Sequence, residues 1–137
     1  GIPSIALSQR YAATGMGDEV SFATAESWGE RVLRPLIDAR WTPGTVINVN
    51  FPPIDPEAVQ GVRVVRQGMR DYGRARLEPR TDPRGFPYYW LSLGRTEHAL
   101  VPGTDLAAVA DGYVTVTPLH LDLTHDASLQ ALANAYL

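Results

Sequence analysis

Short apolar runs at residues 2–7 and 46–51 flank a stretch in which Ala25, Trp28, Val32 and Leu36 recur at helical intervals, with Leu33 and Ile37 beside them. That order predicts a βαβ unit: parallel strands joined by an amphipathic helix over residues 24–40 that packs on the sheet. Thr24 or Ser21 is placed to cap the helix. Pro35 lies inside it and predicts a kink or an early last turn, because proline lacks a donor and crowds the preceding turn. Thr42, Pro43 and Gly44 stop the helix. In the second strand Ile47, Val49 and Phe51 share one face and Asn48 and Asn50 the other, and Pro52 and Pro53 end it. Residues 9–17 have loop composition.

Beyond residue 53 the pattern changes to strands and long loops. Residues 62–67, 88–93 and 113–118 are strand candidates, with antiparallel pairing expected. In the last of them Val114 and Val116 fall on one side, Thr115 and Thr117 on the other, and Pro118 is expected to end the ladder. Residues 70–87, rich in Arg, Asp, Pro and Gly, are too long for an ordinary connection and predict a functional loop or an assembly arm. Thr124 reads as an N-cap with Asp126 in the first turn, opening a helix through Leu129, Leu132, Ala133 and Tyr136. So short a helix is marginal alone and is expected to dock. Parallel strands want cover and several neighbours, so strand partners outside these 137 residues are expected as well.

The run Gly103, Thr104, Asp105, followed by Gly112, Tyr113, Val114, Thr115, Val116, Thr117, Pro118 and Leu119, resembles the G-T-D and G-Y-V-x-x-T-P-L segments of the survival protein E (SurE) family. GIPSIALS at 1–8, GTVINVNFP at 44–52, GVRVVRQG at 61–68 and DPRGFPYYW at 82–90 resemble further segments of that family in the same order. The resemblance implies an α/β, Rossmann-like fold, with residues 1–53 as part of the nucleotidase body. Residues 54–137 would form a β-rich extension with an oligomerisation arm and a terminal helix. It implies removal of phosphate from nucleoside 5′- and 3′-monophosphates, and from short polyphosphate. The implied cofactor is a divalent metal, Mg2+ or Mn2+, that polarises the phosphoryl group and activates water. The family holds its metal on an N-D-D-G segment and on later serine and asparagine ligands of its N-terminal half. No adjacent Asp-Asp pair occurs here. The chain therefore reads as roughly the C-terminal half of such an enzyme, an expectation with which its opening at a glycine agrees, and it is expected to be inactive alone. Homodimer or homotetramer contacts are implied through the arm and the terminal segment, with Arg84, Tyr88, Trp90, Asp122 and Thr124 as contact candidates. The alternative is a non-catalytic oligomerisation or binding module.

Composition narrows the partners. Hydrophobic residues make up 45% of the chain, enough for a core once its strands are partnered. A net charge of -3, with arginine as its sole basic residue type apart from histidine, argues against a nucleic acid duplex as partner. No window approaches a membrane span and no signal peptide is evident, so no membrane is expected. The absence of cysteine excludes disulfides and suits a reducing compartment, with the cytoplasm as the default location.

Among individual residues, Asn48 and Asn50 sit toward the C-terminal end of a parallel strand, where α/β sheets bind ligands. Their amides either meet a substrate or fix the strand end; the second role is the commoner one. Ser8 lies at the same edge, able to reach that crevice or to cap a turn. His120, Asp122, His125 and Asp126 have the residue types of a metal site, but helix capping is the preferred reading. His98 reads as a solvated loop histidine. Arg70, Arg74, Arg76, Arg80 and Arg84, interleaved with aromatics and offset by Asp71, Glu78 and Asp82, read as an ion-pairing arm rather than a nucleic-acid groove. No catalytic or metal-binding residue is assigned within the chain.

Overall fold

The computed structural model describes residues 2–10, 22–69, 75–93 and 100–136. The fold is α/β. Along the chain come β1 (Ser4–Gln9), α1 (Ala23–Asp38), β2 (Thr45–Phe51), a 3₁₀ turn (Pro56–Ala58), β3 (Gly61–Val64), β4 (Ala75–Thr81), β5 (Pro87–Leu93), α2 (Asp105–Ala110), β6 (Tyr113–His120) and α3 (Asp126–Ala135). Four strands form one sheet in the order β1-β2-β6-β3, and β4 and β5 form a separate hairpin. Strands from both sides of Pro53 thus share the main sheet.

The βαβ expectation holds. β1 and β2 are parallel, with Ile5 opposite Ile47 and Ser8 opposite Asn50. Ile47, Val49 and Phe51 are buried on one face together with Val114 and Val116 of the antiparallel neighbour β6, and Val32 of α1 closes the cluster, flanked by Ala25, Trp28 and Leu36. Phe51 and Val49 are 1% and 0% exposed, which locates the centre of the core. Ile37, expected beside this stripe, is instead exposed, since it lies one residue past the Val32 and Leu36 positions that face the sheet.

Three further expectations are corrected. Thr24 is not the cap of α1: it lies inside the helix, is buried, and its hydroxyl donates to the Ile54 carbonyl. Phe22 takes the cap position with no side-chain hydrogen bond. Trp28 Nε1 donates to the Pro56 carbonyl at 2.9 Å, so two side chains tie the start of α1 to the loop after β2. The early end predicted by Pro35 is seen, with α1 stopping at Asp38.

Pro118 does not end its strand, which runs on to His120. Gln60 N–H donates to Gly112 O and Val65 N–H to Val116 O, so even-numbered backbone groups of β6 point toward β3. Pro118 has its missing donor on that side, beyond the last β3 partner, where no ladder bond is lost. Pairing of β3 with β6 is parallel rather than antiparallel. The arm at 70–87 contains a strand that sequence pattern did not reveal, β4, paired antiparallel with β5 from Ala75 opposite Leu93 to Thr81 opposite Pro87. Asp82 closes the turn: its Oδ1 accepts from Arg84 N at 2.9 Å and from Phe86 N at 2.8 Å, while Gly85 takes the positive φ of 86° that the turn needs.

Candidate functional site

The side of the sheet opposite α1 is polar. Asn48 pairs with Thr117 and Asn50 with Thr115, so four polar side chains share that face. The two threonines are buried, and their hydroxyls have no hydrogen-bond partner among the described residues. The short helix α2 packs over β6 on this side and contributes the buried Ala108 and Val109. Beside it opens a cleft of about 470 Å³, within the range of small-molecule sites. Asn48, Asn50, Arg10, Gln67 and Asp105 supply its polar lining, and Met69, Leu106 and Val109 its apolar lining.

Each sequence candidate has a definite place. Ser8 Oγ donates to Asn50 Oδ1 at 2.5 Å, across the parallel β1–β2 pair. This bond fixes which end of the amide faces Ser8 and turns Nδ2 away from it. Asn48 and Asn50 both line the cleft, and both are half-buried. Ser8, Asn48 and Asn50 are therefore brought together. Sequence reasoning missed Arg10, Gln67, Met69, Asp105 and Leu106. A signal for part of this set was present: Thr104 followed by an acidic residue is a helix start. Thr104 Oγ1 accepts from Ala107 N at 3.4 Å as the N-cap of α2, and Asp105 occupies the first turn.

Asp105 also fastens the opposite lip. Its Oδ1 accepts from Gly68 N at 2.6 Å and from its own neighbour Leu106 N at 2.8 Å. Its backbone N–H donates to Arg66 O at 2.9 Å, and Arg66 N–H donates to Gly103 O at 3.3 Å. A Cβ on Gly68 would lie 2.9 Å from Leu106 Cγ and 3.0 Å from Asp105 Oδ1, so the close approach of these segments needs glycine.

The cluster near the end of the chain does something else. His120 ends β6, and among the described residues no group of three or more His, Asp or Glu side chains is placed to hold a metal ion. Asp122 accepts from Thr124 N at 2.8 Å. Hydrogen bonds from the Thr124 side chain and backbone hold the Asp122 carboxyl below its ordinary pKa, against desolvation and with the least contribution from His120. His125, not Thr124, caps α3: its Nδ1 accepts from Ser128 N at 3.2 Å. The shift of one residue arises because the Asp122 turn already engages Thr124. Arg84, Tyr88 and Trp90 lie on the exposed hairpin, with Arg80 over the Trp90 ring at 5.2 Å and bonded to Glu78 at 3.2 Å. Ser21, Arg70, Asp71, Arg74, His98 and most of the predicted loop 9–17 lie outside the described residues.

The family model for Survival protein SurE matches residues 1–74. The chain belongs to the SurE family. It is 58% identical over 136 residues to a 5'-nucleotidase SurE of Rhizorhabdus wittichii, covering 99% of this chain and 54% of that protein. A 5'-nucleotidase SurE of Erythrobacter litoralis is 46% identical over 136 residues, with 99% of this chain and 53% of the relative covered. The crystal structure of SurE protein from Aquifex aeolicus matches at a TM-score of 0.66 and 37% identity, covering all of this chain and 53% of that one. The chain thus spans about half the length of the SurE relatives it matches. The cleft belongs to a SurE fold, and its lining residues are those that this half contributes.

Proposed function

We propose that this chain works as the C-terminal half of a SurE-type nucleotidase that hydrolyses nucleoside 5′-monophosphates, with 3′-monophosphates and short polyphosphate as further substrates. The observation that carries the reading is the similarity, along the chain's whole length, to proteins named 5'-nucleotidase. The cleft is consistent with it, being lined by side-chain donors and by apolar side chains together. Asn50 is the substrate contact: with its oxygen engaged by Ser8, its Nδ2 is the group left to donate to an anionic oxygen. Asn48 and Ser8 support that edge.

Among the described residues no group of three or more His, Asp or Glu side chains is placed to hold a metal ion. Asp105 is the one carboxylate lining the cleft, and its Oδ1 is occupied by two backbone amides. Mg2+ or Mn2+ would be held by residues outside this chain, in the half that its relatives also carry. Residues 1–53, with β3, α2 and β6 beside them, are then part of the nucleotidase body, and the hairpin and α3 extend from it to make homodimer or homotetramer contacts in a cytoplasmic enzyme. The test is phosphate release from AMP. The protein carrying both halves is expected to release it in a metal-dependent way and the isolated chain to release none; hydrolysis by the isolated chain would overturn the assignment of the chemistry to the other half. Asn50→Ala in the two-half protein is expected to lower kcat/KM about tenfold or more, the cost of one hydrogen bond to a charged group.

A further inference from the structure

The two walls of the cleft differ in chemistry, and the difference has a direction. We infer that the wall made by Met69, Leu106 and Val109 takes the nucleobase, and that Asp105 is the positioning residue that sets this wall. The inference rests on the nucleotidase reading above.

Phosphate is disfavoured at this wall on two grounds. Asp105 carries a carboxylate there and is only 8% exposed, so its repulsion of an anion is weakly screened. The amides at the start of α2, which would otherwise attract an anion, are already bonded: Leu106 N to Asp105 Oδ1 and Ala107 N to Thr104 Oγ1. The donors that suit phosphate, Arg10 and the Asn50 amide, stand just past the end of β1 and on β2, away from α2 in the fold. What remains near α2 is apolar. Met69 is 96% exposed, a polarizable thioether at the cleft lip that a planar aromatic ring would cover favourably.

Asp105 fixes where that surface stands. By receiving Gly68 N, it pins the segment that carries Met69 against the start of α2, close enough that Gly68 nearly touches Leu106. Such a wall reads contact area rather than base edges, so it favours purine over pyrimidine nucleotides and separates the two purines weakly.

The experiment compares AMP with ribose 5-phosphate, which lacks a base, in the protein carrying both halves. Met69→Ala, at a side chain too exposed for folding to depend on it, is expected to lower the ratio of kcat/KM for AMP over ribose 5-phosphate about tenfold, through KM. Leu106→Ala is expected to act in the same direction. Asp105→Ala should raise KM for AMP selectively, and Asp105→Asn, which keeps an acceptor oxygen for both amides, should restore it. A parallel loss on both substrates, or no change in the ratio for Met69→Ala, overturns the inference and leaves the nucleotidase reading standing. Failure of the unsubstituted protein to release phosphate from either substrate overturns that reading and this inference with it.

Discussion

The main sheet and the β4–β5 hairpin are built on opposite terms. The sheet buries Val49, Phe51, Val114 and Val116 against Val32 of α1, so most of its stability comes from apolar contact within the chain. The hairpin leaves Leu77, Phe86, Tyr89 and Leu91 exposed and, among the described residues, is held chiefly by cross-strand pairs and one closed turn. A two-stranded ribbon of that kind is marginal in water. Internal packing therefore holds the main sheet, whereas the arm is a shape kept by its turn and by whatever it meets.

The largest expected effect tests the first half of that contrast. Phe51→Ala removes a fully buried ring and should cost about 3–5 kcal/mol in urea unfolding, while Leu77→Ala on the hairpin should stay within about 0.5 kcal/mol. Equal losses would erase the distinction. Next comes Gly68→Ala, where the added methyl meets Leu106 and Asp105; a loss of about 1–3 kcal/mol is expected in the same assay. A smaller and more local change is expected for Asp82→Ala, which deprives two backbone amides of their acceptor and should weaken the turn by about 1 kcal/mol. Hydrogen exchange should show it as faster exchange across 75–93 with the amides of β2 and β6 unaffected. The smallest effect is at the entry to α3. The Asp122 pKa is lowered in the folded chain, so its contribution is present above the unfolded value and is lost as pH falls through the lower folded value. Protection of the Thr124 amide should fade in that acidic window and persist at neutral pH; an unchanged amide would show that the turn does not depend on the charge.

The sheet was legible because its strands alternate, and alternation states which side chains share a face. Alternation thus puts Ile47, Val49 and Phe51 on one face of β2 and Asn48 and Asn50 on the other, and the structure buries the first face. β4 was not legible although ARLEPRT alternates Ala75, Leu77 and Pro79 with Arg76, Glu78 and Arg80: a proline inside the run speaks against a strand, and the surrounding stretch is rich in Arg, Asp, Pro and Gly. α2 was too short for a helical period, and its clearest sign, the Thr104 cap, was read as part of a family motif. The parallel pairing of β3 with β6 escaped because a strand's pattern tells its face and not its neighbour. At the site the same limit applies: Ser8 and Asn50 were placed by strand position, whereas Gly68 and Asp105 meet across 37 residues of chain that no local pattern connects.

Pro118 has a consequence of another kind. It lies where β3 has already ended, on a stretch of β6 whose backbone would otherwise offer a donor to any passing strand. An open edge of that sort is a template for aggregation, and a residue with no N–H interrupts it at no cost to the native ladder. Pro118 thereby withholds one donor on the stretch of β6 that runs past its β3 partners.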